Sequence, residues 1–321
     1  MTQPHVVRAP VRPLRRIAAS LLAAATLWVG AMQIGVIAPP SGVAGEGFEI
    51  GGGVALPTGP NALVEGVVGT PRYPYPLFAE TGADRAIVAL TYRALTRLDS
   101  GGWPTPDIAT SWSASPDGLT WTFAIDPAAR WDDGTPLGAG DAVYTIGIAS
   151  ELGIDGKYWE SITPTIADDG VSLVVSSPRA LADLPAMLGE LPLLPAHLYT
   201  GLAAADIPAA AAAQPPHGSG PFQLDALSQS TAALHRRVDL LAADAPGPTD
   251  VAGAVATEFG LRFFADADSA AGAWSSGSGL DLLVGLDHAA ALAAAARRGE
   301  VVSMSSTVFT GIAPNLRPGA V

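Results

Sequence analysis

The chain of 321 residues contains no cysteine. That excludes a disulfide framework, a zinc ribbon, a thiol nucleophile and an iron–sulfur site. It also excludes a lipid-modified cysteine behind a signal segment. Lysine is nearly absent too: Lys157 stands alone among 17 basic residues, the others being arginine, which reads as the codon bias of a GC-rich genome. Charged residues make up 15% of the chain and aromatics 7%. Acids outnumber bases 30 to 17, and the resulting net charge of −13 argues against bulk nucleic-acid binding. Hydrophobic residues, at 49%, are too many for a disordered tail. The 36 glycines and 28 prolines predict many turns, with neither a collagen period nor a solenoid-length repeat among them. The length accommodates two domain-sized units.

Charge is unevenly placed. Residues 1–45 carry Arg8, Arg12, Arg15 and Arg16 and no acid, +4 against −17 for the remainder. An uncharged run from Ile17 to Ala38 follows the arginines. A helix of ~20 residues crosses a ~30 Å hydrocarbon core, and the arginine side of such a helix stays in the cytoplasm. Small residues at Gly42-Val43-Ala44 also permit cleavage after Ala44. Residues 1–45 therefore read as an uncleaved membrane anchor or a cleaved signal. Either exports residues 46–321 to the periplasm or cell surface. A Gly/Pro-rich tether spans residues 46–61.

The exported part alternates in character. A short apolar run near Ala62 predicts a strand. The spacing of Ile87, Leu90, Leu95 and Leu98 predicts a helix over 84–98, with Asp84 as its N-cap. Leu119, Trp121, Phe123 and Ile125 alternate with polar or small residues, and Pro116-Asp117-Gly118 predicts a hairpin turn before them. Asp-Gly recurs at 133–134 and 169–170. A helix is expected over 140–150. The alanine-rich stretch 203–213 reads as helix or loop, interrupted at Pro208. Strands are expected at 259–264 and 281–284, and helices at 266–274 and 287–298. This is an α/β layer in the second half, beside a more antiparallel subdomain.

Within the hairpin region lies a recognisable string. Ala109-Thr110-Ser111-Trp112 precedes Asp117-Gly118-Leu119-Thr120-Trp121-Thr122-Phe123, then Trp131-Asp132-Asp133-Gly134-Thr135-Pro136 and Ala139-Gly140-Asp141-Ala142-Val143-Tyr144. Leu194-Pro195-Ala196-His197 and Gly218-Ser219-Gly220-Pro221-Phe222 follow in order. The series resembles the signature of the family 5 extracellular solute-binding proteins of ABC transporters, which serve oligopeptides, dipeptides and nickel. Gly138 and Gly140 depart from it, standing where threonine and an acid are usual.

That resemblance implies a lobe like those of type II periplasmic binding proteins over 62–300, with a β-rich subdomain at about 86–178. Residues 301–321 would open a second lobe, most of which is missing. It implies a peptide or similar polar solute as ligand, ABC permease subunits as partners, and neither an enzyme activity nor a cofactor. Candidate ligand contacts are Arg72, Tyr73, Tyr75 and Phe78, an aromatic, proline-stiffened run, and Ser219, Gly220, Pro221 and Phe222. For both groups, an ordered structural loop is the alternative.

Trp103, Trp112, Trp121 and Trp131 read as core and hairpin packing rather than a stacking surface. The five histidines have no metal-site spacing, and Asp132-Asp133 and Asp168-Asp169 read as turn residues. No nucleophile elbow, Walker loop or dinucleotide fingerprint stands in context. The rival function is a membrane-anchored interaction protein, or part of a split chain, whose exposed lobe face binds a partner.

Overall fold

The computed structural model describes residues 5–8, 54–59, 61–99, 101–213, 216–237, 256–286 and 300–303, the first and last of these as backbone strands only. The apolar segment 17–38, the tether as far as residue 53, the helix expected over 287–298 and residues 304–321 lie outside the described residues. Among the described residues no helix is long and apolar enough to cross a membrane.

In chain order the elements are β1 (His5–Arg8), β2 (Ala62–Val68), α1 (Gly82–Thr91), β3 (Thr96–Leu98), β4 (Pro104–Pro106), β5 (Ala109–Ala114), β6 (Thr120–Ile125), α2 (Ala139–Glu151), β7 (Thr163–Ile166), β8 (Leu173–Ser176), α3 (Leu184–Gly189), α4 (Ala196–Tyr199), α5 (Ile207–Ala212), β9 (Phe222–Leu227), β10 (Thr231–Arg236), β11 (Glu258–Phe264), α6 (Ala267–Ser276), β12 (Leu282–Leu286) and β13 (Glu300–Ser303). The large sheet runs β13-β1-β12-β2-β11-β10-β9, and β5-β6-β8-β7 form a second, antiparallel sheet. The short hairpin β3–β4 stands apart.

At the centre of the large sheet, β2 pairs in parallel with both β11 and β12. Its side chains alternate between two apolar clusters. Val67 faces Ala83, Ala86, Ile87 and Leu90, the inward stripe of α1. Val64 faces Ala270 and Trp274 of α6. A strand buried on both faces reads as a near-continuous apolar run, as this one does. The exception is Glu65, 4% exposed between Leu261 and Leu282 of the flanking strands. The third and largest cluster lies under the small sheet, with Trp131, Trp159, Phe123, Ile146 and Leu173 at its centre.

Several expectations need correction. Asp84 is not the N-cap of α1. Thr81 is, and Asp84 is the third helical residue of a capping box, receiving Thr81 N–H while its own N–H donates to Thr81 Oγ1. Nor does the helix continue to residue 98. It stops at Thr91, and residues 96–98 are strand β3. The cause is tertiary. Beyond the helix, Arg93 N–H donates to Ser219 Oγ, and Arg93 carbonyl accepts from Leu193 N–H. Segments more than 90 residues away thus supply the partners that another helical turn would have used. The stretch 203–213 resolves into a 3₁₀ turn at Ala204–Asp206 and the short α5, with Pro208 in its first turn, where proline is tolerated.

The Pro116-Asp117-Gly118 turn joins β5 to β6 as expected. Asp117 accepts from Ser115 Oγ and Leu119 N–H, and Gly118 adopts φ +69°. Gly138 caps α2 without a side-chain hydrogen bond, but Asp141 reaches back to accept Gly138 N–H at 2.9 Å and also accepts Ala196 N–H at 3.0 Å. Of the four tryptophans at 103, 112, 121 and 131, Trp131 is fully buried and Trp112 and Trp121 are half-buried against Phe123. Trp103 is 73% exposed at the tip of the β3–β4 hairpin, against the expectation that it serves core or hairpin packing.

Candidate functional site

In open α/β sheets ligands bind in the crevice beyond the carboxyl ends of parallel strands, where connections leave to opposite faces. Here that point is the end of β2. The chain after β2 enters α1 on one face, and β11 passes to β12 through α6 on the other. Gly69 N–H donates to Phe264 carbonyl at 2.8 Å, tying the ends of β2 and β11 together. The loop that leaves this junction carries the first candidate contacts.

Residues 72–81 form a closed loop whose two arms meet on Asp84. One carboxylate oxygen of Asp84 accepts Arg72 N–H at 2.6 Å and Tyr73 N–H at 2.9 Å. The other accepts Glu80 N–H at 3.1 Å and Thr81 N–H at 2.9 Å. Asp84 itself is fully buried. Outside the neck, Arg72 Nη1 pairs with Glu80 at 3.2 Å. Pro74 and Pro76 fix φ within the loop, and Leu77 takes φ +68° at its turn. Tyr75 is buried, and its hydroxyl donates to Ala211 carbonyl in α5 at 2.9 Å. Burial raises that phenol far above its ordinary range. Arg72 is exposed, its guanidinium 5.9 Å from the Tyr73 ring, while Tyr73 and Phe78 are half-buried against the largest core cluster.

The candidate set thus divides. Arg72, Tyr73 and Phe78 present accessible surface on a braced loop. Tyr75 is committed to packing.

The second group, Ser219 to Phe222, is brought beside α1 rather than to an open face. Ser219 is fully buried with its hydroxyl accepting Arg93 N–H at 2.9 Å. Gly220 N–H donates to Thr91 carbonyl at 2.8 Å. A Cβ on Gly220 would sit 2.5 Å from the Thr91 carbonyl carbon, so only glycine allows the two backbones to cross this closely. Pro221 carbonyl accepts Arg237 N–H, and Phe222 is buried edge-to-face on Phe259 with centroids 5.5 Å apart. The segment locks the end of α1 to the start of β9.

A neighbouring constellation escaped sequence reasoning. Asp132 accepts Gly218 N–H at 2.9 Å and lies 3.0 Å from His217 Nδ1. Asp133 lies 2.9 Å from His197 Nε2. The adjacent acids of one turn therefore hold two distant loops, beside the buried Trp131. Arg237 reaches the carbonyls of Gly218, Arg130 and Trp131 at 3.3–3.4 Å. Nothing local in the sequence pairs residues 132 and 217. By contrast, Thr81-Gly82-Ala83-Asp84 carries a legible capping signature. Among the described residues, no group of three or more His, Asp or Glu is placed to hold a metal ion.

The chain resembles known proteins in sequence and in fold. Residues 104–319 match the model of the bacterial extracellular solute-binding proteins, family 5 Middle. A probable peptide ABC transporter periplasmic-binding protein of Sinorhizobium fredii is 29% identical over 152 residues, 47% of this chain and 28% of the relative. Among solved structures, NikZ of Campylobacter jejuni in complex with Ni(L-His) aligns with TM-score 0.56 at 18% identity, covering 68% of this chain and 42% of that one. The oligopeptide-binding protein AppA of Bacillus subtilis in complex with a nonapeptide aligns with TM-score 0.55 at 20% identity, with the same coverage. At such identities the structural matches establish the fold, and the chain spans less than half the length of these relatives. The family match extends over about two thirds of the chain and takes in the turn at 131–134, the α4 segment and the glycine crossing at 218–220. The chain belongs to the bacterial extracellular solute-binding proteins of family 5.

Proposed function

We propose that the protein is the extracytoplasmic solute-binding component of an ABC importer, taking a peptide or similar small polar solute without altering it chemically. Membership in family 5 carries this reading, and the relatives that bind peptides supply the solute class. Arg72, Tyr73 and Phe78 form one wall of the site, at the carboxyl end of β2. The arginine offers hydrogen bonds to a carboxylate or carbonyl, and the rings offer apolar contact to an extended chain. The permease receives the loaded protein. Residues 1–45 export the chain, with 17–38 as the apolar segment. Export with the arginine end left inside is incompatible with pairing of His5–Arg8 against β12, so this reading requires that β1 leave the sheet on export.

Thermal unfolding of the full chain, with and without an equimolar pool of di- to hexapeptides, tests the proposal. Solute at ~100 times its dissociation constant adds ~2.7 kcal/mol, a visible rise in midpoint. A cooperative melt that ignores the pool would refute peptide binding. It would favour the rival role as an interaction protein, for which the exposed Trp103 is the most prominent apolar group on the described surface.

A further inference from the structure

We infer that Asp84 is a positioning residue for solute binding, holding the 72–81 loop as a preformed wall from beneath. This deepens the proposed function and rests on it. Asp84 touches no solute in this arrangement, since it is fully buried. Its influence runs through four backbone donors, two on each arm of the loop: Arg72 and Tyr73 on one, Glu80 and Thr81 on the other. One side chain therefore closes the neck and fixes where the Arg72 and Tyr73 side chains leave the backbone. Capping alone would need only the contacts at Thr81. The two contacts to Arg72 and Tyr73 contribute nothing to starting the helix. Their effect is to hold the accessible part of the wall in register with it.

Preforming a wall removes an ordering cost that would otherwise subtract from affinity. A loop competent only part of the time lowers apparent affinity by that fraction. In Asp84→Asn the amide keeps a single acceptor oxygen and turns its NH₂ toward donors. At least one arm then comes free.

The test compares wild type, Asp84→Asn and Asp141→Asn, each as the full chain, with the equimolar di- to hexapeptide pool as probe. Asp141 is the matched control. It is another buried carboxylate in the first turn of a helix, bonded to two backbone N–H groups. Asp84→Asn should lose amide-exchange protection at 72, 73, 80 and 81 while β11 stays protected. Its apparent affinity should fall about tenfold, as for a loop competent roughly a tenth of the time. Asp141→Asn should bind as wild type does, even where it is equally destabilised.

Equal weakening in both variants would reduce Asp84 to a stability role and overturn the inference. So would retained affinity in Asp84→Asn with the four amides freely exchanging. A wild type that ignores the pool would instead overturn the peptide reading, and the positioning role with it; the exchange data would still record whether the loop had been held.

Discussion

Ser219 and Arg93, 126 positions apart, share a hydrogen bond of 2.9 Å from backbone N–H to buried hydroxyl, and it lies where the chain leaves α1. With the adjacent contact from Gly220 to Thr91, it makes the Gly218–Pro221 run a structural crossing. Gly220→Ala should destabilise the fold by ~1–3 kcal/mol or more, the usual cost of overpacking, because the new Cβ meets backbone that cannot move aside. Ser219→Ala should cost ~1–3 kcal/mol by stranding the Arg93 N–H. Denaturant midpoints at constant slope measure both. A neutral Gly220→Ala would show that the crossing is looser than its geometry.

Burial alone pushes the Glu65 carboxyl up to about 7 from an ordinary 4.5. Between those values the folded chain holds a proton that the unfolded chain releases, so stability falls as pH rises through that window. Below about pH 4.5 the penalty vanishes. Glu65→Gln should therefore stabilise the protein by up to ~3 kcal/mol above pH 7, with little change near pH 4. Melts from pH 4 to 8 that run parallel for wild type and variant would contradict this.

The tryptophans should separate sharply. Trp131→Ala removes a fully buried ring and should cost ~3–5 kcal/mol. Trp103→Ala, at the exposed hairpin tip, should stay within ~0.5 kcal/mol. The tip keeps its shape without the ring, since Asp99 accepts the N–H groups of Gly101 and residue 103. Urea titrations of the two variants provide the comparison.

On the candidate wall, Tyr73→Ala should weaken peptide-dependent stabilisation. Tyr75→Phe should leave solute binding unchanged and cost ~1 kcal/mol through the lost bond to Ala211. Arg72→Ala should lower stability by no more than ~1 kcal/mol, since its pair with Glu80 faces water. Isothermal titration beside thermal melts distinguishes these outcomes. The reverse pattern for the two tyrosines would move the wall elsewhere.

Legibility in the sequence followed the range of the forces. The β5–β6 hairpin was readable because Asp117 and Gly118 settle it within six residues. Strand β11 and helix α6 were readable to within two residues at each end. The end of α1 was not, because Ser219 and Leu193, far along the chain, take over its backbone groups. The candidate segments 72–78 and 219–222 stood out in the sequence, yet which of their side chains stay accessible depends on packing partners such as Ala211 and Phe259. The acid–histidine pairs at 132 and 133 join positions that no local pattern relates.

The centre of the large sheet has a consequence for synthesis. Ala62 pairs with Glu258, 196 positions later, and no earlier strand sits beside β2. As the chain emerges, β2 waits with both edges open until β11 and β12 arrive. The small antiparallel sheet closes on neighbours within about seventy residues and forms first by the shorter loop. Between Ser176, the end of β8, and Glu258, the start of β11, the growing chain therefore carries a complete small sheet beside an unpaired apolar strand. Another copy of the chain would pair readily with that open edge.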